Sequence, residues 1–121
     1  MKKLLLLILT LCFTGISHAS DSEEDLVKKT LQGDYQAQRN LAYSYMNGWD
    51  DISKDTIRGC ALRKVILLTQ AQADIGDYGN EAIDCRKVHP TDNQKVWEYV
   101  RGYLVRIFMK GDHSITSIEI G

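Results

Sequence analysis

The chain of 121 residues carries 15 basic and 16 acidic side chains, a formal net charge of −1. That balance argues against a nucleic-acid partner or a basic membrane-binding surface, both of which need clustered positive charge. The length suits one compact domain with a modest core, which a crosslink would help to hold.

Lys2 and Lys3 open the chain, and Leu4 to Phe13 is nearly unbroken apolar sequence. Ser17-His18-Ala19 then places small residues at the two positions a signal peptidase reads. The apolar run falls short of the roughly 20 residues needed to span a bilayer. Residues 1–19 are therefore predicted to be a signal peptide, 20–111 a single helical domain and 112–121 a tail without helical period. The two-lysine start with a short leucine run is of bacterial type and places the mature protein in the periplasm, or secreted beyond it. Cleavage removes Lys2 and Lys3 and leaves 13 basic against 16 acidic residues, a net charge of −3. Cys12 and His18 leave with the signal, and Leu11 stands where a lipid-anchored chain would carry a small residue. Cys60 and Cys85 remain, an even number in an oxidising compartment, which predicts a disulfide. Closing that loop is worth about 3.5 kcal/mol in the chain-entropy picture.

The mature chain reads as helical. Ser22-Glu23-Glu24-Asp25 predicts an N-cap with acidic residues in the first turn, Lys28 and Lys29 suit the other end, and Gly33 supplies the stop. Asp34 caps a second helix with Ala37, Leu41, Ser44 and Tyr45 on one face, ended by Asn47-Gly48. Trp49 to Lys54 is polar and turn-like. A third helix is expected from about Thr56 to Ala71, with Ile57, Cys60, Ala61, Val65 and Leu68 as its core stripe. Asp74 to Asn80, with two glycines, reads as a connection. Asn80 is then expected to cap a short helix holding Ala82, Ile83, Cys85 and Val88, closed by His89-Pro90. Thr91-Asp92-Asn93-Gln94 has the form of a capping box for the last helix. That helix carries Val96, Val100, Leu104, Ile107 and Phe108 on one stripe, and Gly111 ends it. Gly102 within it is expected at a close helix contact. Antiparallel packing of the two cysteine-bearing helices would offset Cys60 and Cys85 by roughly 6 Å along the axis.

The segment from Gly33 to Gly48 resembles the first helix of a Sel-one-like repeat, a relative of the tetratricopeptide repeats. The matching features are Gly33-Asp34, Ala37-Gln38, Asn40-Leu41-Ala42, Tyr45 and Gly48, in order and at the family's spacing. Asp55, Cys60-Ala61 and Arg63-Lys64 resemble the repeat's second half, although the family's aromatic pair is absent there. The match covers roughly Gly33 to Val65, one partial unit. Repeat arrays usually need at least about three units to bury a continuous core. The resemblance implies an all-α fold of antiparallel hairpins and protein–protein interaction as the activity.

Cys85 and His89 are four residues apart, a spacing that can place both on one helical face. With Cys60 they would make an incomplete metal site, since a structural zinc takes four ligands. A disulfide beside an ordinary surface histidine is the expected outcome, and no catalytic residue, metal or cofactor is predicted. His113, the acidic run at Glu23-Glu24-Asp25 and the pair Asp50-Asp51 lack any motif that would place a nucleophile or a shared pocket around them. The aromatic residues carry the remaining signal. Trp49 lies in a loop where no core periodicity requires it, Tyr43 falls off the Leu41/Tyr45 stripe, and Trp97 stands beside Val96. Exposed aromatics are enriched in binding hot spots. The sequence thus predicts a partner among other envelope proteins, bound through Tyr43 and Trp49, with no nucleic acid and no membrane after signal cleavage. The alternative is an inhibitor or immunity-type protein directed at a cell-envelope enzyme. A small enzyme using Cys85 and His89 is a third class and requires a free thiol.

Overall fold

The first ordered turn follows from local chemistry. The Ser22 hydroxyl accepts a hydrogen bond from the Asp25 amide at 3.2 Å and starts α1, Glu23–Leu31. The computed structural model describes residues 21–109; the expected signal peptide with Cys12 and His18, Gly111 and the expected tail with His113 lie outside the described residues. Lys28 and Lys29 occupy the last turn of α1, and Gly33, at φ 90°, reverses the chain. Asp34 accepts from the Ala37 amide and starts α2, Tyr35–Asn47. Asp55 does the same for Arg58 at the head of α3, Thr56–Thr69. α4 runs over Ile75–Cys85, a single 3-10 turn over Pro90–Asp92, and α5 over Asn93–Phe108.

The described residues form five helices without strands, and Cys60–Cys85 is a disulfide. α2 and α3 pack antiparallel, α1 packs on α2, and α3 also meets α4 and α5, which returns to touch α1. α3 is therefore surrounded. Leu62 and Ile66 are buried along with the expected Cys60, Ala61 and Val65, because a central helix must be apolar on several sides. At Gly59 a Cβ would lie 2.6 Å from Met46 Cγ and 3.2 Å from the Ala42 carbonyl, so this glycine marks a close approach of α2 and α3.

Four details of the sequence reading are corrected. Asp74 to Asn80 is not a connection: the Asp74 and Asp77 side chains cap each other's backbone amides, and α4 starts at Ile75 with Asn80 in its interior. The glycines and Asn80 disfavour a helix locally, but the reciprocal cap supplies its start. The capping box at Thr91 does not form. His89 Nδ1 takes the Thr91 amide at 3.1 Å and contacts its hydroxyl at 2.7 Å, so α5 is entered through the 3-10 turn and Asp92 makes no side-chain cap. Leu68, Phe108 and Ile83 face outward rather than into the core. The stripe of α5 is instead completed by Tyr99 and Tyr103, and Gly102 is buried among them.

Candidate functional site

Tyr43 is on the outer side of α2, and the loop after α2 carries Trp49 to meet it. Three local features set that loop. Gly48, at φ 68°, lets the chain leave the helix in a backbone conformation that side chains with a Cβ rarely adopt. Asp50 takes φ 56°, a left-handed conformation that short polar side chains tolerate. The Ile52 amide returns to the Trp49 carbonyl at 2.9 Å, which drops the Ile52 side chain into the core at 4 % exposure. Ile52, not Trp49, covers the underside of the loop. Trp49 stays 55 % exposed and Tyr43 51 % exposed.

The two rings meet edge to face, with centroids 6.2 Å apart and planes at 61°. Such a pair is worth about 0.5–1.5 kcal/mol beyond area burial, which favours this orientation of Trp49 several-fold. The rings border a groove of about 310 Å³ whose floor is Leu26 and Ile52 and whose rim includes Asn40 and Asp50. The groove thus combines polar side chains with two half-exposed aromatic rings. The two residues the sequence singled out are thus brought together. Trp97 is elsewhere, on α5, 48 % exposed, with the Lys64 ammonium 5.0 Å from its ring centre.

The two cysteines are joined in a disulfide. Cys60 and Cys85 are bonded to each other, so neither is a thiol that His89 could activate, and His89 is exposed with Nδ1 engaged by Thr91. Among the described residues no three His, Cys, Asp or Glu side chains converge as metal ligands would.

Sequence reasoning missed the buried polar groups. Asp77 is 1 % exposed, accepts a short hydrogen bond from the Tyr35 hydroxyl and faces Arg39 at 3.3 Å. Burial pushes the Asp77 carboxyl up, but the Tyr35 hydroxyl, the Asp74 amide and Arg39 together outweigh it and hold the carboxyl below its ordinary value. Asp84 pairs with Arg63 at 2.9 Å, and Glu81 with Lys64 at 2.7 Å. On the other side of the core, Arg58 stacks on Tyr45 and Tyr99 with its charge 5.7 and 5.1 Å from the ring centres. Burial and a hydrogen bond to Glu23 push the Tyr45 hydroxyl up to about 12. These groups are far apart in sequence, and no spacing rule announces them.

No protein-family model, curated protein or solved structure matches the chain.

Proposed function

We propose that the protein is an exported helical module that binds another protein of the cell envelope through the surface of Tyr43 and Trp49. The observation that carries this reading is the pair of half-exposed rings that meet edge to face beside a groove with Leu26 and Ile52 in its lining. Leaving a tryptophan half in water forgoes burial worth on the order of 1–2 kcal/mol, which a partner would recover. The likeness of Gly33 to Val65 to a Sel-one-like repeat supports the same activity, since α2 and α3 are the hairpin that carries both the resemblance and the rings. The disulfide and the amino-terminal pattern of residues 1–19 support export.

The test compares wild type with Tyr43→Ala/Trp49→Ala as immobilised bait in an extract of the cell envelope. A protein retained by wild type and lost by the double variant, with unchanged circular dichroism, is the expected result. Equal retention by both overturns the surface assignment. Intact mass of protein recovered from the periplasm checks export: a chain beginning at Ser20 that resists alkylation until reduced is expected.

A further inference from the structure

The aromatic rings of this fold divide by whether a cation lies against them. Tyr35 has the Arg39 guanidinium 5.3 Å from its ring centre, Tyr45 and Tyr99 share Arg58, and Trp97 has the Lys64 ammonium at 5.0 Å. Tyr43 and Trp49 have no such neighbour among the described residues. Their contact with each other takes one ring face of the four, because an edge meets a face only once in such a pair. The indole face is the strongest cation acceptor among the side chains, and here it stands half in water without one.

The groove beside the two rings carries the matching charge. Its lining holds the carboxylates of Asp21 and Asp50, the uncharged Asn40 and Ser44, and no lysine, arginine or histidine among the described residues. Asp21 is shared with Lys29 at 2.9 Å. Asp50 is exposed and has no ion pair among the described residues. Its place is set by the backbone: it follows Trp49 directly, at φ 56°, inside the short return that bridges Trp49 to Ile52. The free carboxylate and the free indole are thus fixed side by side.

This lining discriminates between classes of occupant. An anionic group would meet two carboxylates. An aliphatic group would gain little contact, since Leu26 and Ile52 are only 5 % and 4 % exposed, and it would strip water from Asp50 without replacing it. A long basic side chain meets both demands, with its methylene stem along the groove and its charged head at the rings and the carboxylate. The volume of about 310 Å³ is at the small end of ligand clefts and suits one such side chain.

We propose that the groove at Tyr43 and Trp49 receives a lysine or arginine side chain from an exposed segment of the partner, with its cation against the open ring faces and paired with Asp50. This rests on the function proposed above and names the chemistry of the partner at that surface.

The test is a titration of the purified, disulfide-bonded, nitrogen-15-labelled protein with blocked peptides Gly-Gly-Xaa-Gly-Gly. Xaa is lysine, arginine, norleucine or glutamate, and the concentration is carried to about 10 mM to reach millimolar affinities. The indole N–H signal of Trp49, assigned by its absence from Trp49→Phe, is the readout. The lysine and arginine peptides are expected to shift it and to bind at least about fivefold more tightly than the norleucine peptide, with glutamate weakest. The Trp97 signal should stay in place, because Lys64 already lies against that ring. Asp50→Asn keeps the loop, since asparagine tolerates positive φ, and is expected to weaken the lysine peptide about two- to fivefold. Salt raised from about 0.05 M to about 0.5 M should weaken the lysine peptide and leave the norleucine peptide unchanged.

Norleucine or glutamate binding as tightly as lysine overturns the proposal, and so does a lysine peptide indifferent to both Asp50→Asn and salt. No Trp49 shift with any peptide overturns it as well, and leaves the groove to an uncharged segment or to a terminal segment of this chain. The envelope extract separates the two readings. An envelope protein lost by Tyr43→Ala/Trp49→Ala while the lysine peptide fails keeps the surface and rejects its cationic ligand; equal retention by both baits rejects the surface itself.

Discussion

α4 is held to the rest of the fold in an unusual way, and removing the crosslink exposes how. Its buried residues are Asp77 and Asp84; apart from the partly buried Cys85, it contributes no apolar side chain to the core. Ion pairs do the remaining work, and such pairs add little net stability once desolvation is counted. The disulfide closes a sequence separation of 25 residues, which corresponds to about 3.5 kcal/mol of chain entropy. For a domain of this size that loss lowers Tm by roughly 15–25 °C. Cys60→Ala/Cys85→Ala should therefore melt well below wild type in a thermal circular dichroism scan. It should also lose amide-exchange protection first and most strongly over Ile75–Cys85, while α2 and α3 keep theirs. A Tm drop of less than about 5 °C, much smaller than the chain-entropy value, would refute the reasoning about the crosslink. Exchange that quickens uniformly in every helix would refute the claim that α4 depends on it in particular.

Asp77 predicts a defined acid response. Its carboxyl is held below the ordinary aspartate value in the fold, so its contribution is complete at neutral pH and is lost as the pH falls from about 4 through the lowered folded pKa. Urea midpoints measured between pH 7 and pH 2.5 should fall on the acid side for wild type and fall less for Asp77→Asn. In the loop, Trp49→Ala should cost no more than about 1.5 kcal/mol, the worth of its edge-to-face contact with Tyr43, whereas Ile52→Ala should cost roughly 2–4 kcal/mol because it empties a buried site; chemical denaturation separates the two. The glycines of α3 and α4 should respond with opposite sign in the same assay. Gly79→Ala gains up to about 1 kcal/mol of helix propensity. Gly59→Ala drives a methyl group into Met46 and the Ala42 carbonyl and should lose about 1–3 kcal/mol.

The ends of the first two helices were legible because they are local. Ser22 and Asp34 bond amides three residues ahead, Gly33 and Gly48 adopt positive φ, and none of this needs the rest of the fold. Tyr43 and Trp49 were legible for a related reason: a large aromatic residue off the core stripe, or in a polar loop, has no interior place waiting for it. That the two rings would meet was not legible, since it depends on how Ile52 anchors the loop.

The Cys60–Cys85 pair was legible by count once Cys12 was set aside with the expected signal peptide, and the structure shows the bond joining α3 to α4. α4 was beyond reach. Its glycines and Asn80 argue for a turn, and its apolar face, read by periodicity alone, would have been turned inward. Only the tertiary structure decides otherwise, because the cations that claim Asp77, Glu81 and Asp84 come from α2 and α3, 17 to 38 residues away in the chain. α5 differs: Tyr99 and Tyr103 fall on the same helical face as Val96, Val100 and Ile107, and Phe108 falls off it, so spacing alone already carried that burial. Caps, turns and composition are properties of neighbours in sequence. Which face of α4 is buried is a property of what α2 and α3 bring to it.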